Sequence, residues 1–243
     1  ETFDIIIHFA GQSSGEISFD DPVQDLSDNC ISTLNLLEFA RKTSCKNFIL
    51  ASSMSVYGET QSRRVNEAHA TAPLSMYAVG KLASENYLRI FQRYGIASIS
   101  LRLFNVYGPG QNMSNLRQGM ISIYLAQALG EGNIVVKGSA DRFRDFVYID
   151  DVTRVVDRFV EKGFEGSSVY NVCTGMKTKI SRLLKAIKNA LPHKSISIQF
   201  IESTPGDQFG IVGDNTELIK AIGQLEFKDV DTGILDFVSS LKS

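Results

Sequence analysis

Apolar runs and amphipathic stretches alternate along the first part of the chain. Three apolar runs, at 4–11, 47–52 and 97–104, predict buried strands. The stretches 22–44 and 77–94 carry apolar residues at helical spacing and predict two long helices. This alternation is typical of right-handed crossovers and predicts a parallel sheet, with the strand at 4–11 in a central position.

Beyond residue 109 the predicted elements are shorter and mixed. Helices are predicted over 116–129, 150–163 and 182–191 and after 214 and 231, and strands over 134–136, 145–149, 169–172 and 195–200. Asp150, Ser181, Asp214 and Asp231 are the residue types that favour N-cap positions, and we expect each to cap a helix. These elements predict a smaller mixed α/β domain over 110–243, from which about 145–175 returns to the sheet formed by 1–109.

The composition of the chain bears on which partners it is expected to bind. The chain has 243 residues, 43% of them hydrophobic and 21% charged, with a net charge of −2. Nucleic-acid-binding proteins usually carry a basic excess on one face, which this balance does not favour. No apolar run approaches the ~18–20 residues that a membrane helix needs. We therefore expect a cytoplasmic protein without nucleic-acid or membrane partners.

The cysteines and histidines do not indicate a metal site. Cys30, Cys45 and Cys173 have neither metal-ligand nor disulfide spacing. Cys30 and Cys173 lie in apolar stretches, and we expect both in the core. The three histidines form no cluster with them, so no metal is predicted.

Three short motifs carry the candidate chemistry. Ser52 and Ser53 open Ser-Ser-Met-Ser-Val-Tyr-Gly, Tyr77 and Lys81 form Tyr-x-x-x-Lys, and Arg102 opens Arg-Leu-Phe-Asn-Val-Tyr-Gly-Pro. Residues four apart on a helix share a face, and a nearby ammonium favours the phenolate form of a tyrosine. Ser53 ends a predicted strand, where open α/β sheets place their ligands. A tyrosine and lysine at this spacing also occur on many amphipathic helices, but a hydroxyl, a phenol and an ammonium together suit oxidation of a carbinol.

At these motifs, above all over 102–109, the chain resembles the extended short-chain dehydrogenase/reductase family, particularly its UDP-glucose 4-epimerase-like members. The resemblance covers nearly the whole chain and implies a Rossmann-type doubly wound parallel sheet with a smaller substrate domain. The Gly-x-x-Gly-x-x-Gly loop of that family does not occur in the sequence. We therefore expect 1–109 to be the C-terminal half of the NAD(P)-binding domain, with the other half preceding Glu1.

The resemblance also implies which residues form the site. The catalytic residues would be Ser53, Tyr77 and Lys81. The cofactor-binding residues would be Phe9, Ala10, Gly11, Asn29, Ser52, Tyr77, Lys81 and Phe104, although Asn29 is equally well explained as a hydrogen-bonded helix residue. The substrate-binding residues would be Ser53, Asn105, Arg144 and Asp207, with Thr204 in place of a family arginine. The implied cofactor is NAD, with NADP not excluded, and the implied substrate is a nucleotide sugar.

Met54 and Ser55 distinguish between the reactions of this family. The similar 4,6-dehydratases carry an Asp-Glu pair after the active hydroxyl, and the nucleotide-sugar decarboxylases carry an acid just before Val-Tyr-Gly. Neither Met54 nor Ser55 exchanges a proton at neutral pH, which favours epimerisation or simple keto reduction. We expect epimerisation at C4 through a 4-keto sugar. A 4-keto-sugar reductase or dehydrogenase and a non-catalytic scaffold of the same fold are the alternatives.

The two long predicted helices are apolar around much of their girth. The residues concerned are Leu36, Leu37 and Phe39 over 22–44, and Tyr87, Leu88, Ile90 and Phe91 over 77–94. Such helices are buried on two sides, and a two-fold dimer is the commonest way to cover the second side. The sequence therefore predicts a homodimer through these helices. The alternative is that part of this surface packs on the expected N-terminal half.

Overall fold

Four parallel strands form the main sheet of the computed structural model, which describes residues 3–60, 64–202 and 209–241. In chain order the strands are β1 (Ile5–His8), β2 (Asn47–Ser53), β3 (Arg64–Val65), β4 (Ala97–Leu103), β5 (Asn105–Tyr107), β6 (Asn133–Lys137), β7 (Phe143–Arg144), β8 (Phe146–Tyr148), β9 (Ser167–Val172), β10 (Thr178–Lys179), β11 (Ser197–Ile201) and β12 (Val212–Gly213). The main sheet has the order β1-β2-β4-β9, so a strand from the second half of the chain pairs with β4. Two-stranded pairs join β3 to β12, β5 to β8, β6 to β11 and β7 to β10.

Helices cover the sheet and build the second half of the chain. They are α1 (Pro22–Leu26), α2 (Ser32–Thr43), α3 (Met76–Phe91), α4 (Met120–Leu129), α5 (Ile149–Lys162), α6 (Ile180–Ala190), α7 (Thr216–Ile222) and α8 (Val230–Ser240). A π-helical turn, Ser27–Ile31, joins α1 and α2 into one continuous helical run. The two long predicted helices are therefore confirmed, the second ending in a 3₁₀ turn, Gln92–Tyr94.

Strand β1 is the outer strand of the main sheet in the described ranges, paired with β2. Ile7 is 45% exposed, whereas His8 is buried. The predicted central position includes strands that precede Glu1, so it stays a prediction. An apolar run indicates that a strand favours burial, but the order of strands depends on contacts between distant segments.

Three clusters of apolar side chains form the core. One lies between β2 and the helices α2 and α3, one joins the main sheet to α5 and α7, and one holds α4, α6 and α8 together. Cys30 and Cys173 are buried, as predicted. Leu37, Leu88 and Phe91 are also buried, so the prediction that they extend an uncovered apolar surface is wrong. The spacing of apolar residues shows that a helix has apolar surface. It does not show which part of that surface packs against the sheet of the same chain.

Several helices begin away from their predicted caps. The N-caps are Tyr148 in α5, Lys179 in α6, Asn215 in α7 and Asp229 in α8. Asp150, Ser181 and Asp231 lie inside their helices, and Asp214 precedes the N-cap of α7 while accepting a hydrogen bond from Thr216 N at 3.0 Å. These four predictions are wrong. For Asp150 and Asp231 the reason is that acidic residues favour the first turn of a helix as well as the N-cap. Within the described ranges, no helix is both long and apolar enough to cross a membrane.

Candidate active site

A cleft of about 470 Å³ opens where β1, β2 and β4 end. Most of the residues proposed from the sequence line it, namely Phe9, Gly11, Ser52, Ser53, Tyr77, Lys81, Phe104 and Asn105. The carboxyl ends of parallel strands meet at one edge of a sheet, which is where open α/β folds bind ligands. The crossover topology therefore brings these separate motifs to one place.

Tyr77 and Ser53 face each other across this cleft. Tyr77 lies in the first turn of α3, which Ser75 caps by accepting a hydrogen bond from Ala78 N at 3.2 Å. Burial raises the pKa of the Tyr77 phenol, and its hydrogen bond with Ser53 acts in the opposite direction. Ser53 Oγ lies 3.1 Å from Ser55 Oγ and accepts a hydrogen bond from Ser55 N at 3.2 Å, so the loop after β2 orients the Ser53 hydroxyl.

Lys81 lies one turn after Tyr77 on α3, on the same face. Its Nζ is 5.7 Å from the centroid of the Tyr77 ring, and the side chain is buried. Burial lowers the pKa of Lys81 to about 8, against the opposing effect of Asp25. The cleft thus contains a phenol, a hydroxyl and an ammonium whose charge changes close to neutral pH.

Asp25 and Gln12 belong to this region, although no motif in the sequence marks them. Asp25 Oδ1 accepts hydrogen bonds from Gln12 Nε2 at 2.7 Å and from Asn29 Nδ2 at 3.2 Å. Asn29 is buried and does not line the cleft. Its side chain lies beneath Gly11, where a Cβ would approach Asn29 Oδ1 to 2.7 Å and the backbone has φ +129°. Only glycine fits there.

Ala10 lies on the other side of Gly11 from the cleft. It lines a second groove together with Gly11, Gln12 and residues of the helical run after Pro22. The cleft and this groove share Gly11 and Gln12. The segment after β1 therefore separates two connected depressions at one edge of the sheet.

Ser52 is tied into a buried network beneath the cleft. Its hydroxyl donates to Glu85 Oε1, and Arg102 donates to the same carboxylate from Nε and Nη2. The guanidinium also lies 4.8 Å from the centroid of the Tyr57 ring. Ser52, Glu85 and Arg102 come from β2, α3 and β4, so this network joins the elements that carry Ser53, Tyr77 and Lys81.

Asn105 and Arg144 occupy different positions relative to the cleft. Asn105 lines it and donates from Nδ2 to the backbone oxygen of Asp145 at 2.9 Å. Arg144 is buried in β7, does not line the cleft, and donates from Nη1 to Phe143 O at 2.8 Å. Burial lowers the pKa of Arg144 to about 10. Asp207 and Thr204 lie outside the described residues.

Asp145 is a further buried acid that the motifs did not single out. Its carboxylate accepts hydrogen bonds from the backbone of Thr174, Gly175 and Gly213. Burial nevertheless raises the pKa of Asp145 to about 6. These bonds hold the segment after β9 against β12, next to the strand that carries Asn105.

Two loops distant in sequence meet at the rim of the cleft. Gln118 Nε2 donates to Ser13 Oγ, and Ser14 Oγ donates to Arg117 O at 2.9 Å. The Arg117 guanidinium also pairs with Glu16 at 3.2 Å. Gln111 and Gln118 add uncharged polar groups to the cleft, and no sequence motif indicated them.

A Rossmann-type parallel sheet with a serine and a Tyr-x-x-x-Lys pair at its carboxyl edge defines the short-chain dehydrogenase/reductase class. The chain belongs to the NAD dependent epimerase/dehydratase family, which it matches over residues 1–173. This match confirms the predicted family, its NAD dependence and the predicted fold class.

Two curated relatives illustrate the similarity. The chain is 31% identical over 245 residues to the putative UDP-glucose 4-epimerase of Methanocaldococcus jannaschii, covering 99% of this chain and 77% of that protein. It is 34% identical over 192 residues to the UDP-glucose 4-epimerase of Mycolicibacterium smegmatis, covering 77% of this chain and 60% of that protein.

Solved structures share the fold. The UDP-glucose 4-epimerase of Thermotoga maritima, solved with UDP-glucose, superposes with a TM-score of 0.92 at 29% identity over 98% of this chain and 77% of that one. The UDP-glucose 4-epimerase of Thermus thermophilus, solved with NAD, gives a TM-score of 0.86 at 30% identity over 98% and 78% of the two chains.

Proposed function

We propose that the protein epimerises a nucleotide-activated sugar at C4 through a transient 4-keto sugar, using NAD. The observation that carries this proposal is that Ser53, Tyr77 and Lys81 line one cleft at the carboxyl edge of the sheet. Met54 and Ser55, beside the Ser53 hydroxyl, supply no acid for elimination.

Each of the three side chains has a distinct role in the proposed reaction. Tyr77 as phenolate removes the proton of the sugar 4-hydroxyl, and Ser53 hydrogen-bonds the same oxygen. The Lys81 ammonium favours the phenolate form of Tyr77. When bound, NAD supplies a reversible hydride acceptor. Once the 4-keto sugar has turned to present its other face for the return of hydride to C4, Tyr77 gives its proton back to the oxygen on C4. The alcohol that re-forms therefore has the opposite configuration at C4.

The residues around the cleft fit the nicotinamide end of NAD. Gly11 has no side chain and a backbone conformation that glycine alone adopts readily, which permits close approach of a ligand. Phe9 and Phe104 offer apolar surface beside it, and Lys81 offers a buried donor to a ribose hydroxyl. In this proposal Ala10 contacts the cofactor from the second groove, while Ser52 and Asn29 support its site from beneath.

The sugar nucleotide is assigned to the opposite side of the cleft. Asn105 and Ser53 are within reach of the sugar, and Arg144 and Asp207 are the remaining proposed substrate contacts. Arg144 has the forked geometry that suits a diphosphate, although its site needs to open toward the cleft. We accordingly propose that 1–109 holds the cofactor and 110–243 the sugar nucleotide, with β9 of the second part completing the main sheet.

The experiment that tests the function is incubation of the full-length protein with UDP-hexoses and catalytic amounts of NAD. Interconversion of two C4 epimers without accumulation of NADH is the expected result. Stoichiometric NADH would instead identify a dehydrogenase, which uses the same three side chains for a single oxidation. Binding of nucleotide sugar without turnover would identify a non-catalytic scaffold.

We also propose that the protein is a homodimer through the first helical run and α3. Val23, Leu26 and Ile31 on that run are 77%, 45% and 45% exposed, and Val79 and Ile90 on α3 are 49% and 45% exposed. An apolar surface of this kind favours burial against a second copy.

Light scattering on the variant Val79→Glu tests this proposal, with Val160→Glu on α5, at a similarly exposed position, as the control. We expect only Val79→Glu to give monomers, and a monomeric wild type would contradict the proposal.

A further inference from the structure

A buried carboxylate lies behind the Tyr77–Lys81 pair. Asp25, on α1, is 2% exposed and lines neither the cleft nor the second groove. Its Oδ1 accepts the two hydrogen bonds from Gln12 and Asn29, and its Oδ2 has no hydrogen-bond partner among the described residues. An ionised carboxylate is costly to bury unless a positive charge compensates for it.

The ionisable groups around Asp25 include one strong cation. From α3 these groups are Lys81 and Tyr77, and from its own helical run the group is Asp28. His8, on β1, has its pKa lowered by burial and by Lys81, so its imidazole is largely neutral at neutral pH. Burial raises the pKa of Asp25, whereas its hydrogen bonds from Gln12 and Asn29 and the charge of Lys81 act in the opposite direction. Of these ionisable groups, Lys81 is the cation that can compensate for the Asp25 charge.

The orientation of this carboxylate is fixed from two directions. Gln12 Nε2 donates both to Asp25 Oδ1 and to Ser14 O, at 2.7 and 2.8 Å, so the loop after β1 holds the amide in place. Asn29 contacts the carboxylate from one turn further along the same helical run. Asp25 Oδ2 lies against α3 next to Lys81, because a Cβ at the adjacent Gly80 would be 3.9 Å from this oxygen.

We propose that Asp25 is a positioning residue of the Tyr77–Lys81 pair, its carboxylate serving as the buried counter-ion of the Lys81 ammonium. This role rests on the proposed function, because the pair has catalytic meaning only if Tyr77 is the base. A fixed negative charge stabilises a neighbouring ammonium and opposes a neighbouring phenolate. Asp25 therefore moves the deprotonation of both Lys81 and Tyr77 to higher pH.

The direct test is an NMR pH titration with isotope-labelled tyrosine and lysine side chains, the signals being assigned with Tyr77→Phe and Lys81→Met. Asp25→Asn is expected to lower the pKa of both Tyr77 and Lys81, by about one unit or more. Asp157→Asn, which neutralises an exposed carboxylate on α5, is the matched control and is expected to change neither. Unchanged pKa values in folded Asp25→Asn would overturn the proposal.

The pH profile of kcat/KM separates an electrostatic role from a structural one. Because Tyr77 and Lys81 titrate as a pair, both limbs of the profile should move to lower pH in Asp25→Asn. A reduced maximum with both limbs in place would mean that Asp25 only supports packing, and would refute the counter-ion role. A wild type without turnover would contradict the proposed function, while the NMR titration would still decide the role of Asp25.

A reciprocal measurement applies if Asp25→Asn does not fold. In Lys81→Met the labelled Asp25 carboxyl should titrate at higher pH than in the wild type, because its compensating charge has been removed. An unchanged Asp25 titration in folded Lys81→Met would overturn the proposal.

Discussion

Arg102 holds Glu85 at two points, with Nε 3.0 Å from Oε1 and Nη2 2.8 Å from Oε2, and both side chains are buried. Ser52 donates to the same carboxylate. A planar guanidinium that meets a carboxylate in this way fixes direction as well as distance. The pair thus locks α3 to β4 directly beneath the cleft, and Ser52 adds the end of β2.

Glu85→Gln is expected to destabilise the protein strongly, since it leaves the Arg102 guanidinium buried without its counter-charge. Breaking a buried pair in this way costs about 3–5 kcal/mol in the free energy of unfolding, measurable by urea denaturation. Glu38→Gln is the control, because its pair with Arg41 is exposed to solvent, and we expect little change. Equal losses in the two variants would contradict the structural role of the buried pair.

Tyr77→Phe is expected to lower kcat by roughly 10²–10⁴-fold, the usual contribution of a positioned acid or base. Only the phenolic oxygen is removed, so circular dichroism and the unfolding midpoint should stay close to those of the wild type. Tyr94→Phe, at a ring that is 50% exposed, should retain full activity. Near-normal turnover by Tyr77→Phe would exclude this residue as the base.

Lys81 should impose an alkaline limit on activity. Its pKa is lowered to about 8, so the ammonium is present below that pH and is lost as the pH rises through it. We therefore expect kcat/KM to fall above pH of about 8 in the wild type. In Lys81→Arg the alkaline limb of the profile should disappear, because arginine keeps its charge throughout this pH range. This holds even if the different shape of arginine lowers the activity at every pH. A wild-type limb at the ordinary pKa of lysine would contradict this prediction.

Gly80→Ser and Gly80→Ala form a matched pair that tests the environment of Asp25. A Cβ at Gly80 would lie 3.4 Å from Asn29 Cβ and 3.9 Å from Asp25 Oδ2, which are ordinary van der Waals contacts. Both replace a helical glycine, which costs roughly 0.5–1 kcal/mol relative to alanine. Only serine offers a hydroxyl to Asp25 Oδ2, and a hydrogen bond to a charged group is worth about 1.5–3 kcal/mol.

We expect Gly80→Ser to be more stable than Gly80→Ala toward urea, and this difference to vanish when Asp25 is replaced by Asn. Equal stability of the serine and alanine variants would show that the hydroxyl does not reach the carboxylate.

The local sequence pattern was sufficient to predict how most of the proposed catalytic side chains are arranged. The helical period places Tyr77 and Lys81 on one face of α3, and the apolar run before Ser53 predicts a strand that ends at that serine. The alternation of strands and helices then predicts a parallel sheet, whose carboxyl ends come together. These inferences succeed because each depends on neighbouring residues and on the handedness of short crossovers.

The sequence by itself determined the class of fold, the two long helices and the convergence of Ser53, Tyr77 and Lys81. Only the tertiary structure placed β1 at the outer edge of the described sheet and set Asp25 against Gly80 of α3, next to Lys81. It also left Arg144 and Asn29 outside the lining of the cleft. The physical reason is that a buried charge is compensated by a side chain that the packing of the fold places next to it. For Asp25 that side chain comes from α3, a helix distant in sequence, and no local periodicity records such a contact.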